Sequence, residues 1–362
     1  MADKEGNKKV IMWGAGTVAA GAGLIYLLSR GTRGSLCSKA YNGNVQRDIF
    51  LKQKQIEWKP VLPSSMKFNG HLVLSSENTI DRIPLDAENL FYEMIVELDT
   101  DTISLLICND MLIKYLDRYT NLISKIKADG KELYVAYVTG CGTLYLDFND
   151  YKAKELDFID TFIRLYNPDY FVIIDEYMTM EQRTGVSATP EEWKQLVIDG
   201  VSLIKSINPA VKTVVTGHKL ELDFLKSLMD IPDIDYIGIN IWGIASLDET
   251  TLDGKNIKDT IDYVKSLGKK VIIEQTWLTE YSTSDIKREI ATCDYMKEFD
   301  ADYIQTSVYR WLLQNVDMFS PFYTGKFIYY GLNDNEMLTA LNNKERTPAF
   351  YRYQTVIQEI RD

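Results

Sequence analysis

The strongest constraint on this chain is an alternation. From about residue 70 onward, short runs rich in β-branched and aromatic residues alternate with longer amphipathic stretches. The strand candidates are "HLVLS" (71–75), "TISLLIC" (102–108), "LYVAYVT" (133–139) and "YFVIIDE" (170–176), then "TVVTGH" (213–218), "YIGINIW" (236–242), "VIIEQTW" (271–277) and "YIQTSVYRW" (303–311). Helix candidates lie between them, among them "AENLFYEMIVEL", "MLIKYLDRYTNLISKIKADG" and "IKDTIDYVKSLG". Gly130 and Gly268 end two of these, as left-handed caps do. Thr189, Pro190 and Glu192 in "ATPEEW" predict a capping box with proline in the first turn.

Near-continuous apolar strands that alternate strictly with helices predict a parallel sheet covered by helices. Eight such units, closed by the helix "TPAFYRYQTVIQEI", predict an α/β protein of the (β/α)8 TIM-barrel class over residues 66–362. An open doubly wound sheet usually carries a glycine-rich loop after its first strand, and "HLVLSSENT" is not one.

The N-terminus carries a separate signal. Residues 10–28, "VIMWGAGTVAAGAGLIYLL", contain no charge and are bounded by Lys8–Lys9 and by Arg30 and Arg33. A helix of that length spans a hydrocarbon core of about 30 Å. The expected order is a short tail (1–9), a transmembrane anchor (10–28), a stem (29–65) and the barrel. Lysines and arginines are balanced across the span, so orientation rests on the short N-tail, which places the barrel on the extracytoplasmic side of a single-pass membrane protein. The first 39 residues carry +4 and the remainder −16. An acidic domain without a basic run argues against nucleic acid as a partner.

A barrel gathers its chemistry at the carboxyl ends of its strands. There the sequence sets Asp175–Glu176 on strand 4, His218 on strand 5, and Asn240 and Trp242 on strand 6. Strand 7 ends with Glu274, Gln275 and Trp277, and strand 8 with Tyr309 and Trp311. Side-chain alternation puts Val172, Ile174 and Glu176 on one face of strand 4, and Ile272 and Glu274 on one face of strand 7. If both faces point inward, Glu176 and Glu274 confront each other across the mouth. Glycoside hydrolysis needs such a pair, one acid to protonate the leaving oxygen and one carboxylate to attack the anomeric carbon. At about 5.5 Å and an effective dielectric of about 20, two carboxylates repel by roughly 3 kcal/mol, about two pKa units, so one of them holds a proton. Flat apolar faces of Trp242, Trp277 and Trp311 suit the C–H side of a sugar ring. Asp175, His218, Asn240 and Tyr309 are the polar substrate-binding candidates.

Other chemistries find less support. The two histidines, His71 and His218, are too few for a typical histidine zinc site, and the four cysteines have no metal spacing, so neither metal nor cofactor is expected. Cys108 and Cys141, near the ends of successive strands, are open to pairing or to remaining free thiols. No predicted strand ends in the lysine that a Schiff-base aldolase would use.

From about residue 70 to the end, the chain resembles the clan of retaining β-glycosidases built on (β/α)8 barrels, which includes cellulases and endo-β-galactanases. The resemblance rests on "VIIDEY", on "VIIEQTW", on the helix "TPEEWKQL" and on the closing segment "YYGLNDNE…ERTPAFYRY". It implies Glu176 as acid/base, Glu274 as nucleophile, an oligo- or polysaccharide substrate and no cofactor. Asp175 stands where that clan usually has an asparagine that bonds the sugar 2-hydroxyl. The substitution leaves an alternative open: a catalytically inactive barrel that binds glycans or serves as a structural surface protein.

Overall fold

The computed structural model describes residues 66–72, 85–107, 109–137, 144–218, 221–242, 255–277, 315–320, 346 and 348–361. Eight parallel strands close into a barrel in chain order. They are β1 (Lys67–Leu72), β2 (Thr102–Ile107), β3 (Glu132–Tyr137), β4 (Tyr170–Asp175), β5 (Lys212–His218), β6 (Tyr236–Trp242), β7 (Lys270–Trp277) and β8 (Met318–Phe319). The described helices are α1 (Leu85–Glu97), α2 (Asn109–Lys114), α3 (Leu116–Ala128), α4 (Phe148–Tyr166), α5 (Tyr177–Thr184), α6 (Pro190–Ile207), α7 (Leu222–Leu228), α8 (Lys255–Ser266) and α9 (Pro348–Arg361).

Two apolar shells follow from the alternation of each strand. Inside the barrel, Tyr170, Tyr236 and Met318 open the even strands, and Tyr134, Val214 and Ile272 stand third on the odd ones. They form one cluster with Val172, Ala136 and Leu106. Outside it, Phe171, Ile173, Val215, Ile237 and Ile273 meet helix residues such as Phe158, Phe162, Trp193, Val197 and Leu225. Fully burying a side chain of this size contributes about 1.5–3 kcal/mol. Strand β1 departs from the pattern by turning Asn69 and His71, both fully buried, toward the interior.

The amino end repeats one device four times. Asp101, Asp169, Asp235 and Asp317 each precede an even strand, and each carboxylate accepts from the backbone N–H of a residue on the preceding odd strand. The donors are Phe68 (2.7 Å), Leu133 (2.8 Å), Thr213 (2.9 Å) and Val271 (2.8 Å). The aspartate carbonyls accept from the next odd strand, and Lys67 N–H to Asp317 O closes the ring. Backbone groups at the strand starts are thereby satisfied without water.

Several expectations hold in detail. Gly130 and Gly268 take φ of 70° and 73°. Thr189 and Glu192 form both halves of a capping box, with Pro190 opening α6. Others need correction. The barrel closes on Met318–Phe319, paired with β1 and β7, and not on 303–311, which lies outside the described residues. The long helix expected before Gly130 is two helices, because Tyr115 at their junction leaves helical geometry (φ −123°, ψ 32°). The predicted anchor 10–28 and all four cysteines lie outside the described residues. Among the described residues no helix is long and apolar enough to cross a membrane.

Candidate active site

Glu176 and Glu274 both turn inward at the carboxyl end, by different routes. On β7 the route is the expected one, with Ile272 inside, Ile273 outside and Glu274 inside. A bulge then intervenes. Gly238 of β6 pairs with Ile272, but Asn240 pairs with Gln275, so β7 has one residue more than β6 over this interval. The bulge turns two successive side chains, Glu274 and Gln275, toward the centre. Glu274 is fully buried beside the Tyr134 and Thr216 hydroxyls, and Gln275 Nε2 lies 3.4 Å from Asp175 Oδ2.

On β4 strict alternation fails. The register slips between Val172 and Ile174 against β5, so Ile173 and Ile174 both pack on the helix side. Asp175, not Ile174, takes the next inward position. Glu176 reaches the centre by a left-handed backbone, with φ 54° and ψ 78°, at the N-cap of α5. Such a conformation is uncommon for a residue with a side chain and marks a local constraint. Met180 N–H donates to the Glu176 carbonyl, and Glu176 N–H donates to Thr216 O, which fixes the turn.

Asn240 joins the acids. Its Nδ2 donates to Asp175 Oδ1 at 3.0 Å and to Glu176 Oε1 at 2.9 Å. Thr179 Oγ1 donates to Glu176 Oε2 at 2.8 Å, and Thr216 Oγ1 to Asp175 Oδ1 at 2.6 Å. Thr216 keeps its place because Gly238 lies against it: a Cβ at Gly238 would fall 2.4 Å from Thr216 Cγ2. A second carboxylate ties the rim together. Glu221, the N-cap of α7, accepts from Met178 N–H (2.8 Å) and His218 N–H (2.7 Å), linking the turn after Glu176 to the end of β5.

The electrostatics follow from crowding. Burial pushes the Asp175 carboxyl up to about 7, and the neighbouring Glu176 adds to the shift. Burial also raises Glu274 well above the usual carboxylate range, with Asp175 and Glu176 contributing, while Thr216 and Tyr134 oppose the rise. Neither Glu274 oxygen has a hydrogen-bond partner of good geometry among the described residues. Burial raises Glu221 to about 8 against the pull of its two backbone donors. Such a cluster retains protons at neutral pH, as sites for general acid–base work do. Among the described residues no group of three or more histidine, cysteine, aspartate and glutamate side chains is arranged to hold a metal ion.

The candidates read from the sequence are placed unevenly. Asp175, Glu176, Asn240 and Glu274 come together, and half-buried His218 ends β5 beside them, paired with Asn240. Trp242 and Trp277 are register partners on β6 and β7, but their side chains lie outside the described residues. Tyr309 and Trp311 also lie outside them. Thr216, Glu221 and Tyr134 belong to the site and are not among the strand-end candidates; Gln275 is among them without a role assigned to it. Thr216 carries a readable signal, as a polar residue near the end of an inward strand face.

The barrel has solved structural neighbours. An exo-beta-1,4-mannosidase from Opitutaceae bacterium strain TAV5 superposes with a TM-score of 0.54 at 11% identity, over 82% of this chain and 60% of the mannosidase. A glucosidase from Croceicoccus marinus superposes with a TM-score of 0.51 at 12% identity, over 83% of this chain and 69% of the glucosidase. The likeness is one of fold. It agrees with the (β/α)8 barrel read from the alternation of strands and helices. This chain spans less than two thirds of the mannosidase's length. No family model matches the chain, and no curated protein does.

Proposed function

We propose that the barrel is a retaining glycoside hydrolase acting on β-linked glycans, held at a membrane by residues 10–28 with the barrel on the extracytoplasmic side. The observation that supports it most is that two buried glutamates, Glu176 just past β4 and Glu274 on β7, turn into one cluster with Asp175. In this reading Glu176 protonates the glycosidic oxygen while Glu274 attacks the anomeric carbon and forms a glycosyl ester. The leaving sugar departs with the proton. Glu176, now a carboxylate, takes a proton from water, and the water oxygen displaces Glu274 and frees the second sugar with its configuration retained.

The crowding imposes a condition on that cycle. Glu274 must be ionised to attack, yet its surroundings favour the protonated form. Substrate binding therefore has to leave the shared proton on Glu176, and the Asn240 amide, which touches both Asp175 and Glu176, keeps their orientation fixed while it does so. Asp175, when protonated, donates to a sugar hydroxyl as an asparagine amide would.

The test is hydrolysis of aryl β-glycosides and β-glucans by the full chain, with the anomer of the first-formed product read by NMR. Turnover with retention that Glu274→Ala abolishes is expected; equal rates in wild type and Glu274→Ala would sink the proposal. The third carboxylate, Asp175, favours a second reading, a silent glycan-binding barrel. That reading expects calorimetric binding without turnover, unaffected by Glu274→Gln.

A further inference from the structure

The bulge that aims Glu274 is held from the far side of the barrel seam. Along β7, the carbonyl of Ile273 accepts from Ser320 N–H, just past β8. The next carbonyl, that of Glu274, is met instead by a side chain from β1: His71 Nε2 lies 2.9 Å from it. His71 Nδ1 lies 2.8 Å from Ser104 Oγ on β2. Asn69 Nδ2 in turn donates to Ser104 Oγ (2.8 Å) and to Ser320 Oγ (3.1 Å), and Thr102 Oγ1 donates to Asn69 Oδ1 (2.8 Å). Asn69, His71, Thr102, Ser104 and Ser320 are all fully buried.

Chemistry orients this chain of bonds. A carbonyl oxygen only accepts, so Nε2 carries the hydrogen and Nδ1 of the neutral ring accepts from the Ser104 hydroxyl. The serine oxygen is free to donate forward because Asn69 supplies its incoming hydrogen. Burial holds the imidazole neutral by pushing its pKa down to about 4.

Resting on the hydrolase reading above, we infer that His71 is a positioning residue, which locks the peptide after Glu274 and so sets where the nucleophile carboxylate points. At a bulge two successive side chains share one face, so rotation of the peptide between Glu274 and Gln275 would tilt both away from their present positions. The imidazole prevents that rotation without touching substrate.

The glutamine and asparagine variants separate this from packing. Glutamine places an amide N–H near the position of imidazole Nε2; asparagine places it near Nδ1, short of the Glu274 carbonyl. For the full chain, His71→Gln is expected to keep kcat on an aryl β-glycoside within about threefold. His71→Asn is expected to lose about 30-fold or more in kcat with KM nearly unchanged, since displacements of about 1 Å cost up to a hundredfold. Equal kcat in the two variants would overturn the inference. Nitrogen-15 NMR supplies a readout that needs no turnover. The chain has only two histidines, so the signals removed by His71→Gln are those of His71. They are expected to report a neutral ring protonated at Nε2 in the wild type, the only tautomer that can donate to the Glu274 carbonyl; a wild-type ring protonated at Nδ1 would overturn the relay. If both His71 variants unfold, Ser104→Ala decides: about a tenfold loss in kcat at constant KM supports the inference, and an unchanged kcat removes it. A wild type that hydrolyses nothing ends the hydrolase reading instead, and the relay then stands or falls on the ring signals alone.

Discussion

The two ends of this barrel treat their acids in opposite ways. At the amino end, Asp235 accepts from Thr213 N–H at 2.9 Å and pairs with Lys205 at 2.7 Å, and Glu132 pairs with Lys67 at 2.6 Å. Burial alone would raise the Asp235 carboxyl, but Lys205 and the Thr213 amide outweigh it and hold it below the usual range. At the carboxyl end, the charges of Asp175, Glu176 and Glu274 oppose one another in a buried space, and burial with this repulsion pushes Asp175 and Glu274 up. Two surface cavities of about 190 and 430 Å³ open at the amino end, but lysines and the capping aspartates Asp169, Asp235 and Asp317 line them. The difference separates stability from chemistry. Favourable charge pairs hold the strand starts in register, and the unfavourable cluster persists only because the rest of the fold keeps it in place.

Substitutions at the two ends should therefore dissociate. Glu274→Gln is expected to lower turnover by about a thousandfold or more, because an amide cannot attack. It is also expected to raise the melting temperature, because a buried carboxyl without hydrogen-bond partners is replaced by a neutral isostere. Asp235→Ala is expected to do the reverse. Removing its carboxylate strands Lys205 and the Thr213 amide, a loss of about 1–3 kcal/mol in denaturant unfolding, with turnover per folded molecule unchanged. Were Asp235→Ala to abolish turnover in folded protein, the division between the ends would be wrong.

An intermediate effect is expected at Gly238, where the two roles meet. A methyl group there must displace Thr216, whose hydroxyl holds Asp175. Overpacking of this kind costs about 1–3 kcal/mol. Gly238→Ala should thus lower both stability and kcat, whereas Gly→Ala at exposed turns with positive φ, such as Gly130, should affect stability alone. A Gly238→Ala protein with full kcat would show that Thr216 does not orient the acids.

What the sequence revealed tracks how local each cause is. Six of the strands, β2 to β7, were legible because burial on both faces writes continuous apolar runs. The first, expected at 71–75, lies at Lys67–Leu72, where buried Asn69 and His71 interrupt the apolar run. The eighth was misplaced for an identifiable reason. Asp302–Tyr303 imitates the aspartate-plus-strand signature of Asp169–Tyr170 and Asp235–Tyr236, while the true closing strand after Asp317 is only Met318–Phe319. Glu274 followed from alternation; Glu176 does turn inward as expected, although the alternation through Ile174 that placed it there fails. The slip at Ile173 depends on pairing with β5, which no spacing within β4 records. His71 was visible only as a histidine too solitary for zinc, because its partners Ser104 and Glu274 are 33 and 203 residues away.

The smallest expected effect is on the pH dependence of stability, and it gives the contrast between the two ends its quantitative form. Asp175 binds its proton with a pKa of about 7 in the folded chain, against 3.8 for an ordinary aspartate. Between those values the native state holds more protons than the unfolded state, so this group's contribution is fully present below about pH 4 and is lost as pH rises through 7. His71 works the other way. Its pKa falls from 6.5 to about 4, so its contribution is present above pH 6.5 and is lost as pH falls toward 4. The two overlap, and wild-type stability alone cannot separate them. Asp175→Asn can, because it leaves His71 in place and also relieves Glu274, whose shift has the same sign. Chemical denaturation from pH 4 to 8 should therefore show the two proteins drawing apart as pH rises, the asparagine variant becoming the more stable, and converging near pH 4. A difference that stayed constant across that range would mean that Asp175 carries no proton at neutral pH, and the carboxyl end would then differ from the amino end in geometry alone.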